Sequence, residues 1–229
     1  MGTLRKIYIL HGWTASIDNW GDFLQSLKKT RFDPIMLKIP GLTKKIDQPW
    51  NLEKYVEWLK KEITEQEVIL LGHSNGGRIA IAFANKYPQR VGQLILMDSA
   101  GIYHNEIPLR LKRFLFKNLA KFGKKITSSN KFRNLLYKLS REKDYKKATP
   151  MQQQTMINLI SVDLTNILKS IKIPTLIIWG KHDKATPVTD GRLMNGLIKN
   201  SKLVILDAKH SPQFTNTKET VKEIIKFIK

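Results

Sequence analysis

Residues 67 to 77 read Glu-Val-Ile-Leu-Leu-Gly-His-Ser-Asn-Gly-Gly and combine a strand, a turn and the start of a helix. The apolar run from Val68 to Leu71 predicts a buried strand, and the apolar spacing from Ile79 onwards predicts a helix. Between them lies Gly72-His73-Ser74-Asn75-Gly76, a Gly-x-Ser-x-Gly match. At a strand-to-helix turn this motif indicates an exposed nucleophilic serine, although a glycine-rich turn with an ordinary serine has the same sequence.

The rest of the chain alternates strands with amphipathic helices. Such alternation predicts right-handed βαβ units, hence an α/β fold with about six parallel strands flanked by helices. The predicted strands cover residues 6–10, 34–39, 68–71, 93–97, 174–180 and 202–206. The predicted helices of this body cover residues 19–29, 51–63, 79–88, 187–198 and 219–228, and Asn51 is the expected N-cap of the second.

The alternation stops after the fourth strand. Residues 102–167 contain predicted helices at 109–122, 131–139 and 151–160, so we expect a small helical cap inserted into a core made of residues 1–101 and 168–229. Residues 105–150 carry fourteen Lys or Arg against three acids, a net charge of +11. An acidic carrier protein is therefore one possible partner at this basic cap.

Composition narrows the function classes. The chain has 229 residues, no cysteine and a net charge of +21. It therefore has no disulfide and no thiolate chemistry, and the scattered lysines are as consistent with a compositional bias as with a polyanion partner. No apolar run is long enough for a membrane span, and no nucleic-acid motif is present. We see no signal peptide, which predicts a cytoplasmic protein.

A serine hydroxyl needs a base and an orienting acid, and two later strands end in suitable residues. Asp183 follows the fifth strand and His210 follows the sixth, so the order Ser74, Asp183, His210 is the nucleophile–acid–histidine order of the Gly-x-Ser-x-Gly hydrolases. Asp98, after the fourth strand, is the main rival acid, and Asp207 is a weaker one.

The other four histidines fit supporting positions. His73 is expected to pack beneath the turn, and His11 to support the loop that follows the first strand. His182 is in the wrong place in the chain order to be the base, and His104 lies in the connection to the insertion. His210 is thus the predicted base.

An oxyanion hole requires two N–H donors near the serine. The backbone N–H of Asn75 follows the nucleophile at a helix N-terminus, and His11-Gly12-Trp13 follows the first strand. We therefore predict Asn75 and Trp13 as the donors. The indole of Trp13 is expected either to line the acyl pocket or to pack against helix 19–29.

With these motifs in place, the chain resembles the α/β-hydrolase fold proteins, and in particular their compact serine esterases with a helical cap. The resemblance rests on residues 11–13, 72–77, 179–183 and 210–212 and extends over nearly the whole chain. It implies hydrolysis of a small-molecule carboxylic ester through an acyl-enzyme, without cofactor or metal. Ser74 distinguishes the chain from the similar haloalkane dehalogenases and epoxide hydrolases, which carry Asp at the nucleophile position.

The substrate stays open at this point. Besides esters, the same triad would serve a lactonase, a carbon–carbon bond hydrolase of the meta-cleavage type, or a methyl esterase acting on acyl chains attached to acyl carrier protein. A non-enzymatic binding module is a further alternative, which the complete triad order disfavours. We expect the pocket to be lined by Trp13 and by Leu111, Phe114 and Leu115 of the cap.

Overall fold

The computed structural model describes residues 5–14, 16–103 and 148–228. Within them, six strands form one parallel sheet in the order β2-β1-β3-β4-β5-β6. The strands are β1 (Arg5–Leu10), β2 (Phe32–Met36), β3 (Val68–His73), β4 (Val91–Met97), β5 (Thr175–Gly180) and β6 (Ser201–Leu206). The predicted α/β fold with six parallel strands is confirmed.

Helices cover both faces of this sheet. Those described are α1 (Gly21–Lys28), α2 (Leu52–Glu62), α3 (Asn75–Lys86), α4 (Pro150–Ile160), α5 (Thr165–Leu168), α6 (Val188–Leu197), α7 (Pro212–Thr215) and α8 (Thr217–Phe227). Ile7 and Ile9 of β1 pack with α1 and α8, whereas Tyr8 and Leu10 pack on the opposite face with α2 and α3. Burial on both faces explains why the central strands are continuously apolar.

Two local predictions have different outcomes. Asn51 caps α2 as expected, since its side chain accepts a hydrogen bond of 2.9 Å from the N–H of Lys54. The second strand, β2, spans Phe32–Met36, so it begins two residues and ends three residues earlier than the predicted range of 34–39. Pro34 lies inside β2, which is an edge strand, where a proline without an N–H is tolerated.

The insertion leaves and rejoins the body at one place. The N–H of Leu164 donates to the carbonyl of Gly101 at 2.9 Å, and the N–H of Tyr103 donates to Oδ1 of Asp163 at 3.2 Å. The buried Arg78 of α3 donates to the carbonyl of Val162. The returning chain is thereby fixed against the helix that follows Ser74.

Part of the predicted cap is described. Helix 151–160 corresponds to α4, whose N-terminus has a capping box between Thr149 and Gln152. The predicted helices 109–122 and 131–139, with Leu111, Phe114 and Leu115, lie outside the described residues. The division into a core and a cap at residues 102–167 stays a prediction.

Residues 5–14, 16–103 and 148–228 include no helix with both the length and the apolar character needed to cross a bilayer. A cytoplasmic location remains a prediction from the sequence.

Candidate active site

Ser74 occupies a strained turn between β3 and α3. Its backbone has φ 52° and ψ −119°, a conformation that residues other than glycine rarely adopt. The turn is also extremely tight: a Cβ on Gly76 would lie 2.1 Å from the carbonyl oxygen of Leu10, and one on Gly72 would lie 2.5 Å from Cα of Gly77. The glycines of the motif are therefore required by the close approach of neighbouring backbone.

The structure brings Ser74, His210 and Asp183 into one hydrogen-bonded line. Nε2 of His210 lies 3.0 Å from Oγ of Ser74, and Nδ1 of His210 lies 2.7 Å from Oδ2 of Asp183. Since an ionised carboxylate can only accept, Nδ1 carries the proton and Nε2 accepts from the serine hydroxyl. This tautomer is the one that a general base for Ser74 requires.

Asp183 is held as a carboxylate by a dense set of donors. Its Oδ1 accepts from the N–H groups of Ala185 at 2.7 Å and Thr186 at 3.1 Å, and its Oδ2 accepts from the Thr186 hydroxyl at 2.7 Å. Burial alone would raise the pKa of Asp183, but the hydrogen bonds from His210, Thr186 and Ala185 outweigh it and lower the pKa. Asp183 is therefore ionised at neutral pH, and its carboxylate can accept a hydrogen bond from His210.

His210 is tuned in the opposite direction. Burial would lower the pKa of its imidazole, but the hydrogen bond to Asp183 and that residue's negative charge raise the pKa above its ordinary value. The raised pKa makes this imidazole a stronger base than an unperturbed histidine.

His73 packs beneath the loop that carries His210. Its Nε2 donates to the backbone carbonyl of His210 at 2.9 Å, and its ring lies edge-on to Trp20 with centroids 5.7 Å apart. Burial lowers the pKa of His73 to about 3, so this ring is neutral. Its position agrees with the supporting role predicted from the sequence.

The rival acids have other partners. Asp98 is fully buried, and its Oδ1 accepts from the N–H of Gly180 at 2.8 Å. Burial raises the pKa of Asp98 to about 7. Asp207 lies at the surface and contacts Nε2 of His182 at 2.7 Å. Asp183 is thus the carboxylate hydrogen-bonded to the ring of His210.

The predicted oxyanion donors belong to segments next to Ser74. A Cβ on Gly12 would lie 3.0 Å from Cβ of Ser74, so the residue before Trp13 lies against the serine. Asn75 begins α3, and the N–H groups of a first helical turn have no acceptor within their own helix. The indole of Trp13 is half-buried and packs on the sheet face of α2 and α3, not against helix 19–29.

Sequence reasoning missed Thr186 and Arg78. Thr186 follows Asp183 by three residues, and an Asp with a hydroxyl residue at this spacing often forms a local turn, which is a weak signal. Arg78 gave no signal, because its carbonyl partner, Val162, is 84 residues away in the chain.

One group of potential metal ligands overlaps this site. Ligand atoms of His73, Asp98 and His210 lie within 4.8 Å of one another. However, both ring nitrogens of His210 already contact Asp183 and Ser74, and Nε2 of His73 already contacts a carbonyl. Nδ1 of His73 and Oδ2 of Asp98 have no hydrogen-bond partner in the described part of the chain. Of the three residues, only His210 lies between a hydroxyl and a carboxylate, which is the arrangement that proton transfer needs.

Comparison with known proteins defines the class. The family model of the alpha/beta hydrolase fold matches residues 6–217, so the chain belongs to the α/β hydrolase fold family, and it is a hydrolase. The predicted resemblance is thereby confirmed.

Individual relatives are more distant. Human monoacylglycerol lipase ABHD6 is 26% identical over 268 residues, covering 99% of this chain and 76% of that protein. The pimeloyl-[acyl-carrier protein] methyl ester esterase of Wigglesworthia glossinidia brevipalpis is 27% identical, covering 100% and 95%. The crystal structure of a hydrolase from Pseudomonas aeruginosa superposes with a TM-score of 0.76 at 17% identity, covering 100% and 91%, which supports the fold alone.

Proposed function

We propose that this hydrolase cleaves carboxylic esters of small molecules through an acyl-enzyme on Ser74. The observation that carries the proposal is the hydrogen-bonded line from Ser74 Oγ to His210 Nε2 at 3.0 Å and from His210 Nδ1 to Asp183 at 2.7 Å. Such a line activates a hydroxyl that is otherwise a weak nucleophile at neutral pH.

Each group has a distinct role in the proposed reaction. Nε2 of His210 takes the proton of Ser74 as Oγ attacks the ester carbonyl, and Asp183 stabilises the imidazolium that forms. The N–H groups of Trp13 and Asn75 stabilise the oxyanion. His210 then protonates the leaving alcohol, and a water molecule, activated by the same histidine, releases the acid and restores Ser74.

The acyl group would be bound between the body and the inserted segment. Gly12 lies against Ser74, and we propose that the neighbouring Trp13 lines the pocket from the body while Leu111, Phe114 and Leu115 supply apolar surface from the insertion. Charge gives a more specific suggestion. Residues 105–150 have a net charge of +11, and one relative is named as an esterase of a carrier-bound methyl ester. An ester carried by an acidic protein is therefore the second candidate substrate.

The primary test compares Ser74→Ala with the wild-type enzyme on a short p-nitrophenyl ester. We expect loss of turnover by several orders of magnitude and loss of labelling by a fluorophosphonate probe. Ser170→Ala is the matched control, because Ser170 is exposed and its hydroxyl donates to Asn85 and to the carbonyl of Ile167. Turnover by pure Ser74→Ala at the wild-type rate would exclude the acyl-enzyme mechanism.

A panel of substrates is needed to identify the class of compound that the enzyme hydrolyses. Esters, lactones, thioesters and a dienoate carbon–carbon substrate of graded length would separate the alternatives that share this triad. Carrier-bound and free methyl esters should be compared at low and high salt. A carrier preference that disappears with salt would support docking of an acidic protein, because screening weakens exposed charge pairs. Equal rates for both esters at either salt concentration would contradict it.

A further inference from the structure

The hydroxyl of Thr186 lies where the segments after three neighbouring strands meet. Its oxygen is 2.7 Å from Oδ2 of Asp183, which follows β5, and 3.3 Å from Nδ1 of His210, which follows β6. It is also 3.1 Å from the backbone carbonyl oxygen of Asp98, in the strained turn after β4. One side-chain oxygen therefore contacts both the acid and the base of the proposed triad.

A threonine hydroxyl has one hydrogen, and these three neighbours determine where it points. Nδ1 of His210 carries the proton that it donates to Asp183, so it has no lone pair with which to accept. The two possible acceptors are the Asp98 carbonyl oxygen at 3.1 Å and Oδ2 of Asp183 at 2.7 Å. The carboxylate oxygen is closer and charged, and hydrogen bonds to charged acceptors are the stronger ones. The hydroxyl therefore donates to Oδ2.

Oδ2 of Asp183 thus accepts two hydrogen bonds of equal length. Nδ1 of His210 donates to it at 2.7 Å, and so does the Thr186 hydroxyl. Burial raises the pKa of Asp183, whereas the hydrogen bonds from His210 and Thr186 lower it, because both stabilise the charged form. An oxygen that shares its charge between two donors attracts each of them less. The hydroxyl therefore makes Oδ2 a weaker partner for His210 than an unshared carboxylate oxygen would be.

The position of this hydroxyl is fixed by the backbone that carries it. The N–H of Thr186 donates to Oδ1 of Asp183 at 3.1 Å, and its carbonyl accepts from Nε1 of the fully buried Trp179 at 2.9 Å. A Cβ on Gly191 would lie 2.6 Å from Cε3 of that indole, so α6 packs closely on the ring. A threonine side chain is also stiff about χ1. The hydroxyl is therefore held at Oδ2 by groups outside the proton path.

We propose that Thr186 is a positioning residue of the triad, whose hydroxyl shares Oδ2 of Asp183 with His210 and so sets the pH range in which His210 is a free base. The inference rests on the proposed ester hydrolysis and deepens it. With the hydroxyl present, the carboxylate orients the imidazole without holding its second proton so strongly that the ring stays charged near neutral pH. Without the hydroxyl, the charge on Oδ2 acts on His210 alone, and the base becomes free only at higher pH.

The test is the pH profile of kcat/KM for Thr186→Val, which keeps the shape of the side chain and removes the hydroxyl. We expect the midpoint of the acid limb to rise by about half a pH unit. At about pH 6, kcat/KM should then fall about threefold, while the alkaline plateau stays within about twofold of wild type. In the described residues, the titratable groups that face the ring of His210 are Asp183, Asp98 and His73. The substitution leaves all three in place.

A readout that needs no turnover is the proton on Nδ1 of His210. Its NMR resonance moves downfield as its hydrogen bond to Asp183 strengthens, so we expect a downfield shift in Thr186→Val. Thr186→Ser keeps the hydroxyl and should restore both the resonance and the midpoint of the acid limb. If Thr186→Val does not fold, Thr186→Ala and Thr186→Ser form a second pair that differs by one hydroxyl. Only the alanine variant should then show the higher midpoint.

Thr165→Val is the matched control, because Thr165 also donates its hydroxyl to a carboxylate, Oδ1 of Asp163 at 2.6 Å, outside the triad. Its midpoint should equal that of wild type. An unchanged midpoint in Thr186→Val would overturn the inference. A lower midpoint would also overturn it, because it means that the substitution merely loosened Asp183 from His210. Wild-type enzyme that hydrolyses no ester would refute the proposed function itself, while the NMR comparison would still decide the role of Thr186.

Discussion

Polar side chains lie at both ends of the parallel sheet, but those at the amino end include exposed ones, whereas those at the carboxyl end are mostly buried. At the amino end, a hollow of about 260 Å³ is lined by residues that include Arg5, Lys6, Glu65 and Glu67. Glu65 is paired there with Lys6 and with the Tyr8 hydroxyl, and the Lys6 side chain is exposed. At the carboxyl end, the polar groups are buried and the backbone is strained.

The strain and burial at the carboxyl end are specific. Ser74 and Asp98 have φ of 52° and 42°, and both belong to turns that directly follow strands. His11, His73 and Asp183 are buried within the same edge. The presence of polar residues alone therefore does not distinguish a candidate active site from an ordinary protein surface. What distinguishes the carboxyl end is that Ser74, His210 and the buried Asp183 form one hydrogen-bonded line there.

Of the substitutions that test this difference between the two ends, Asp183→Asn should have the largest effect on activity. The amide cannot hold the same His210 tautomer, so we expect kcat to fall by about 10⁴-fold with little change in substrate affinity. Steady-state kinetics on a p-nitrophenyl ester would measure this. Asp207→Asn is the control: its carboxylate is exposed and pairs with His182, so kcat should not change. Comparable losses in both variants would mean that burial does not separate the two carboxylates.

Gly76→Ala tests the tight turn beneath the serine. The added Cβ would meet the Leu10 carbonyl oxygen at 2.1 Å, so backbone must move and we expect a destabilisation of about 3 kcal/mol or more. Denaturant unfolding would measure it. Gly196→Ala in α6 is the matched control, because nothing lies within 4 Å of its added Cβ. That exposed helical position should gain about 0.5–1 kcal/mol.

The pH dependence of kcat/KM should follow His210. The neutral imidazole is the active form, and its pKa is raised by Asp183 above the ordinary value of about 6.5. Activity should therefore be lost as pH falls through a midpoint above 6.5. In Asp183→Asn the raising influence is removed while burial remains, so the midpoint of the residual activity should move to lower pH. A midpoint that stays in place would show that another group controls the profile.

Glu65→Gln should have the smallest effect. The substitution removes an exposed pair with Lys6 and weakens the contact with Tyr8 at the end of the sheet remote from Ser74. Exposed pairs contribute little to stability, so we expect kcat to be unchanged and the melting temperature to move by no more than about 2 °C. A marked loss of kcat would mean that the amino end also influences the site.

The sequence predicted the elements whose signals are local. The apolar run of β3, the Gly-x-Ser-x-Gly turn and the Asn51 cap are each contained in a few residues, and all appear in the structure. The positions of Asp183 and His210 followed from topology, since the carboxyl ends of parallel strands meet at one edge.

The remaining features depend on contacts between distant residues. The predicted bounds of β2 were wrong because its pairing with β1 determines where that strand begins and ends. Thr43 and His11 are 32 residues apart, and no pattern in the sequence associates them. Burial lowers the pKa of His11 and raises that of Asp98, whereas hydrogen bonds lower the pKa of Asp183, and all of these conditions exist only after folding.

The hydrogen bonds that join Gly101 to Leu164 and Tyr103 to Asp163 have a consequence for engineering. They hold the two ends of the inserted segment beside each other, so a replacement of residues 104–147 would begin and end at neighbouring points of the body. Helix α4 should be kept in such a replacement, because its Gln152 and Asn158 donate to the carbonyls of Gly41 and Trp50. A segment from a relative, grafted in place of residues 104–147, would test whether this part of the chain determines the substrate preference.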